Sequence, residues 1–269
     1  MKQRFIFITI ALLIIGTASI IGIYYANRPS ISVSQLSLQI ASTNTIIVNN
    51  DTTLVRQNGI WYSRDDDFYP VNSDIAEKLL NDLQQALTQS ISYKDEISEG
   101  GEIIIKTSLP HNIKLYFNAV NGQTDEMIAV YNSEKYLLRG NFQIPSQPYQ
   151  WFIQPLIPLS DNNISEIYGI DPSKFSFSQL FFYQATKQND FKDWDRHNLK
   201  IMTTDGIIVN LTVYMRNHSY WASVDLQTSV MPTLAAAEYV KNNGFLYSGW
   251  FFELPQPEGN RLFSSEAQY

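Results

Sequence analysis

The string Asp-Trp-Asp-Arg-His at residues 193–197 sets two carboxylates, Asp193 and Asp195, close to His197. A carboxylate beside an imidazole can orient a general base or help to hold a metal ion. On an extended strand Asp193, Asp195 and His197 would share one face, because side chains alternate with period two. The set still lacks a further ligand or a nucleophile. It therefore reads as a polar turn before a strand at 198–204, and a hydrolase using Asp193, Asp195 and His197 stands only as a second alternative. Asp65, Asp66 and Asp67 offer hard oxygens suited to Ca²⁺. Three consecutive carboxylates point in different directions and no EF-hand spacing surrounds them, so an exposed loop is expected. His111 and His218 stand alone in turn contexts, and no zincin, nucleophile-elbow, dinucleotide-binding or Walker pattern occurs. The chain has no cysteine, which removes thiolate nucleophiles, Cys-ligated metals and disulfides. No catalytic, cofactor-binding or metal residue is assigned on this basis, no cofactor is implied, and an enzyme is not expected. The aromatic runs at 181–183 and 250–252 could line a ligand cleft, but they fit strands buried on both faces better.

Short strands are expected to position these groups. Residues 36–40, 45–48, 53–56 and 60–63 are rich in β-branched and aromatic side chains and are punctuated by Asn49-Asn50-Asp51 and Asn58-Gly59. The period then changes. Ile75, Leu79, Leu80, Leu83 and Leu87 fall on one helical face, with Asp74 and Glu77 in capping-box spacing. A second strand group is expected at 102–107, 113–118, 127–132 and 135–139. A brief amphipathic turn follows around Trp151, then strands at 164–170, 178–185, 198–204 and 207–214 and a return strand from Ser219. Pro232 and Gly244 bracket a helix. A final strand at 246–255 leads into a tail that looks loose.

Two stretches share a pattern. Arg56, Trp61 and Ser63 recur in spacing as Arg216, Trp221 and Ser223, and a helix with Ala76-Glu77 or Ala237-Glu238 follows each. The matching order favours a duplicated β-β-α unit over coincidence or a shared site.

Residues 5–26 carry no charge and are long enough, at about 1.5 Å per residue, to cross a hydrocarbon core about 30 Å thick. Lys2 and Arg4 precede them, which predicts a cytoplasmic tip and an exported body. A cleaved signal after Gly16-Thr17-Ala18 is the rival, but it would leave an apolar new end. The expected organisation is a tip at 1–4, a transmembrane anchor at 5–26, a linker at 27–35, α+β halves at 36–177 and 178–255, and a loose tail at 256–269. The linker spans about 30 Å at most when extended, which keeps the body near the membrane. The chain carries −7, and setting aside the two cations Lys2 and Arg4 leaves −9. So acidic a body, without a basic run, disfavours nucleic-acid binding.

The order of these motifs resembles the domain-of-unknown-function family numbered 4340. Residues 58–87 are similar to its opening hairpin, Trp and leucine-bearing helix. Residues 134–170 look like its middle segment, with Ile164 and Ile167 in its Ile-x-x-Ile pattern, and 248–255 look like its closing strand. Residues 97–103 stand where that family carries Gly-Leu-x-x-Pro. The resemblance implies a membrane-anchored bacterial envelope protein, in some members beside ABC-transporter components of the gliding-motility type. It implies no catalytic residues.

The combined expectation is an α+β body of antiparallel sheets with helices on one face, built from a duplicated unit and preceded by one N-terminal transmembrane helix. It would be a periplasmic accessory or scaffold module, anchored in the inner membrane and binding another envelope protein or transporter component. The alternative is a periplasmic small-molecule or glycan binding module with a cleft between the repeats.

Overall fold

The computed structural model describes residues 36, 40–87, 91–93, 100–107, 112–119, 121–188 and 190–263. The expected tip, anchor and linker at 1–35 lie outside these, as do His111 and residues 264–269. Among the described residues no helix is long and apolar enough to cross a membrane.

The protein is α+β and mostly antiparallel sheet. The first sheet is formed by β1 (Thr43–Val48), β2 (Thr52–Gln57), β3 (Ile60–Ser63), β4 (Tyr69–Pro70), β5 (Ile91–Ser92), β6 (Gly101–Thr107), β7 (Ile113–Phe117), β8 (Gln123–Tyr131) and β9 (Glu134–Gln143). Its spatial order is β4-β3-β2-β1-β6-β7-β8-β9-β5. Helix α1 (Ser73–Leu87) buries Leu79, Leu80, Leu83 and Leu87 against it. The second sheet takes β10 (Ile164–Tyr168), β11 (Gln184–Thr186), β12 (Asp195–Thr203), β13 (Ile207–Arg216), β14 (Ser219–Thr228) and β15 (Phe251–Leu254), in the order β10-β12-β13-β14-β15-β11. Helices α2 (Leu234–Asn243) and α3 (Gln256–Phe263) pack on this sheet. The sheets change over between Gln143 and Ile164, ahead of the boundary between the expected halves, 36–177 and 178–255.

Turn chemistry explains the hairpins. Asn49-Asn50, Asn58-Gly59, Asn121-Gly122, Asn132-Ser133 and Asn217-His218 all hold positive φ at both positions. A left-handed pair of this kind suits the two-residue hairpins at 58–59, 132–133 and 217–218 and reverses the chain in the longer connections at 49–50 and 121–122; asparagine and glycine adopt it at least cost. The α1 N-terminus departs from the expected capping box. Asn72, not Asp74, caps it, its Oδ1 accepting from the Asp74 N–H at 3.1 Å. Glu77 is thereby released to hold the strand beneath. Its Oε1 accepts from the Trp61 indole Nε1 at 2.7 Å and meets the Arg56 guanidinium at 3.0 Å.

Four expectations are corrected. Leu36, Ile40 and Ala41 are helical where a strand was expected at 36–40. Leu36 and Ile40 are both buried, and a spacing of four suits one helical face as well as one strand face. The strand expected at 178–185 shrinks to β11, because a 3-10 turn occupies Phe177–Gln179 and the chain then passes from the β10 edge to the β11 edge of the second sheet. The final strand is only Phe251–Leu254; a 3-10 turn at Gly244–Leu246 precedes it. The tail is not loose over 256–263. It forms α3, whose Leu262 is fully buried. Gly259 lets α3 sit on the Tyr220 ring; a Cβ there would fall within van der Waals radii of the ring carbons.

The buried faces of both sheets feed one hydrophobic cluster. Tyr69 of β4 is its hub. Its ring meets Phe152, Phe182, Trp250 and Phe252 edge-on, at centroid distances of 5.7, 5.8, 4.9 and 5.5 Å. Edge-to-face contacts of this kind add to the area buried. Here they join the first sheet to Phe252 in β15 of the second and to Phe152, Phe182 and Trp250 in the connecting segments.

Candidate functional site

The residues with the most chemical promise in sequence do not converge. Asp193 lies in the turn before β12 and is exposed, and Asp195 is exposed at the first position of β12. The shared face expected for all three therefore fails at Asp193, because the strand starts after it. His197 is committed elsewhere: its Nε2 lies 2.5 Å from the Gly169 carbonyl oxygen. A carbonyl only accepts, so this nitrogen carries the proton and donates. The bond ties the Gly169 turn, at φ +88, to β12. Among the described residues no group of three or more His, Asp or Glu is placed to hold a metal ion.

The aspartate run is exposed at Asp65 and Asp67, as expected of a loop, but buried at Asp66, and it latches the sheets together. Asp65 Oδ2 accepts from the Thr53 N–H at 2.7 Å. Asp66 is buried; it accepts from the Ser63 hydroxyl at 2.5 Å and from the Ala185 N–H of β11 at 3.3 Å. Asp67 Oδ2 accepts from the Thr186 hydroxyl at 2.7 Å and the Lys187 N–H at 3.0 Å. Two consecutive carboxylates of the first sheet thus bind the backbone of edge strand β11 in the second. Such cover also protects an edge strand from pairing with other chains.

Burial pushes the Asp66 carboxyl above its ordinary pKa, outweighing the Ser63 and Ala185 hydrogen bonds that favour the charged form; Asp65 and Asp67 add to the rise. A carboxyl whose folded pKa is raised contributes stability that is fully present below its unfolded pKa and is lost as pH rises through the folded one. Asp66→Asn keeps the shape and both hydrogen-bonding positions without the charge. Measured by urea unfolding, the variant is expected to gain stability relative to wild type between about pH 3.5 and about pH 7. The opposite trend would show that the Asp66 charge is stabilising.

Two surface features remain. The first is apolar. Val230 and Met231 are 98% and 89% exposed, Leu234 is 77% and Phe245 is 62%. Leu234, Glu238, Lys241 and Phe245 follow the spacing of one helical face along α2 and the turn after it. The loop before α2 is pinned rather than loose. The Ser229 N–H donates to the Gly206 carbonyl at 2.8 Å, and the Thr233 N–H to the Asp205 carbonyl at 2.8 Å. Thr233 then caps α2 through its hydroxyl, which accepts from the Ala236 N–H at 3.2 Å.

The second feature is a groove of about 470 Å³ where the segment joining the sheets crosses the first one. Ile75, Ile144 and Phe152 form its apolar lining, Tyr149 and Phe181 its aromatic wall, and Asn72, Gln143 and Gln150 supply amides. Sequence reading missed these residues, since they come from α1, the end of β9, a 3-10 turn and a crossing loop. The one signal was the aromatic run at 181–183. It proved to be split, with Phe182 buried while Phe181 and Tyr183 are exposed.

Fold and surface together define a two-sheet antiparallel α+β protein whose prominent features are an exposed apolar surface and a groove. No family model, curated protein or solved structure matches the chain.

Proposed function

We propose that this protein is a membrane-tethered accessory module that docks another envelope protein, such as a transporter component, through the outward face of α2. The observation that carries the reading is the apolar surface formed by Val230, Met231, Leu234 and Phe245. Scattered exposed apolar residues are ordinary, but Val230, Met231 and Leu234 fall together on a pinned loop and the first turn of α2, with Phe245 in the turn beyond its C-terminus, and such a grouping marks an interaction surface. The net charge of −9 outside the tip favours a protein over an anionic lipid surface as the occupant. The uncharged run at 5–26 supports an inner-membrane anchor with the body in the periplasm. The resemblance to the family numbered 4340 supports the same setting.

The finer architecture belongs to this reading as well. The order hairpin-then-helix around Arg56/Trp61 and Arg216/Trp221 supports a duplicated β-β-α unit. The two hairpins differ in register: Arg56 pairs with Trp61, whereas Arg216 pairs with Ser219. In the first copy this sets Arg56 beside the Trp61 ring, its guanidinium 5.9 Å from the ring centroid.

Docking is tested by the double variant Leu234→Glu/Phe245→Glu. Both side chains are mostly exposed, so folding stability should change by no more than about 0.5 kcal/mol. In native gels of solubilised membranes the wild-type chain is expected to run in a complex larger than itself, and the variant to run free. Equal migration of the two forms would refute docking through α2.

A further inference from the structure

We infer that the groove beside α1 is a binding site for a neutral saccharide. This goes beyond docking through α2, and none of its residues belongs to that face.

The lining specifies the chemistry. Its apolar and aromatic members, Ile75, Ile144, Tyr149, Phe152 and Phe181, match the C–H faces of a sugar ring, which stack on aromatic side chains. Phe181 is 40% exposed beside the groove, and Tyr149 is held against Tyr183 with ring centroids 5.1 Å apart. A ring so braced loses little freedom on binding.

The amides are oriented in advance. Gln150 Oε1 accepts from the Ser146 N–H at 2.8 Å, the Gln147 N–H at 3.1 Å and the Ser146 hydroxyl at 3.3 Å. Asn72 Oδ1 is taken by the Asp74 N–H at 3.1 Å. In both side chains the acceptor end is used by the fold and the NH₂ end is left to donate. Among the described residues, the Gln143 amide and the Tyr149 hydroxyl have no hydrogen-bond partner. They can both donate and accept, as sugar hydroxyls do. Beneath them Gln154 is locked onto the Phe182 backbone, its Nε2 donating to the carbonyl at 2.9 Å and its Oε1 accepting from the N–H at 3.4 Å.

Charge decides against other ligands. The one ionisable group in the lining with a full charge, Lys78, is neutralised by Asp82 at 2.5 Å. A groove with no uncompensated charge offers nothing to a phosphate, a carboxylate or an ammonium group. Its volume falls within the range of about 300–1,000 Å³ usual for small-ligand sites. It is half open to solvent, which leaves room for a short oligosaccharide to extend out of it.

The test uses the full-length chain in lipid nanodiscs, which avoids sugar-headed detergents. Isothermal titration calorimetry would be run with N,N′,N″-triacetylchitotriose, cellotriose and maltotriose, and with trialanine blocked as its N-acetyl amide as an uncharged peptide. At least one trisaccharide is expected to bind with Kd at or below about 1 mM. Phe181→Ala and Gln143→Ala should each weaken it by about tenfold or more, while Leu234→Glu/Phe245→Glu leaves it unchanged. The wild-type melting temperature should be retained in both groove variants, whose altered side chains are exposed. Absence of binding by all three sugars up to about 10 mM, affinity unchanged in both groove variants, or binding of trialanine in their place would each overturn the assignment.

Discussion

Replacing Tyr69 by alanine is expected to destabilise the protein by about 3–5 kcal/mol, the usual cost of emptying a large aromatic site in a core. That is a large part of the roughly 5–15 kcal/mol available to a typical domain. The expectation rests on position. Tyr69 is 5% exposed and meets four aromatic rings, three of which lie in the chain from Phe182 onward. Removing it opens a cavity at the seam between the sheets, where collapse would require one sheet to move against the other. Calorimetry should therefore show a lower melting temperature and a transition that broadens or splits as the sheets lose their coupling. Tyr69→Phe separates volume from hydroxyl: it keeps the ring contacts and should cost less than about 1.5 kcal/mol. A Tyr69→Ala variant that melted like wild type in one sharp transition would mean the seam is held by other contacts.

A second large effect is expected at Trp61. The side chain is fully buried, and its indole N–H donates to Glu77 at 2.7 Å. Trp61→Ala removes the ring and leaves the carboxylate half-satisfied, so a loss of about 3–5 kcal/mol is expected. Trp61→Phe keeps most of the volume and loses the donor; about 1–2 kcal/mol is expected. The Arg56–Glu77 ion pair adds little to either figure. Both partners are about one-third exposed, and solvent screens such pairs to below about 1 kcal/mol. Urea unfolding of the two variants gives the comparison directly. If Trp61→Phe cost as much as Trp61→Ala, the hydrogen bond to α1 would be the dominant contribution.

What could be read in advance was local. The hairpins were legible because Asn-Asn, Asn-Gly and Asn-Ser pairs announce positive φ without any tertiary context. Helix α1 was legible because Ile75 and its leucines keep a helical period over about three turns. What was not legible depended on contacts made across long stretches of chain. Helix α3 contains Pro257 and Gly259, poor helix formers, and it exists because Gly259 seats on Tyr220 and Leu262 enters the core. The burial of Asp66 and the bonds of Asp67 were hidden because their partners, Ala185, Thr186 and Lys187, lie about 120 residues away. The 193–197 string was read as a polar turn, and its catalytic alternative stayed open because spacing alone cannot show that His197 donates to Gly169. The groove was hidden for a related reason, since Asn72, Gln143, Gln150 and Phe181 share no local pattern and meet only where the joining segment crosses.

The account turns on the pinned apolar face of α2 meeting another protein at the membrane. A photoreactive amino acid placed at Leu234 in the full-length chain, activated in intact cells, tests this most directly. The expected result is a discrete adduct with one membrane protein, absent when the probe sits at exposed Asp225 and lost when Phe245 is changed to glutamate. Adducts only with lipid or with the chain itself, or the same adducts from Asp225, would contradict it.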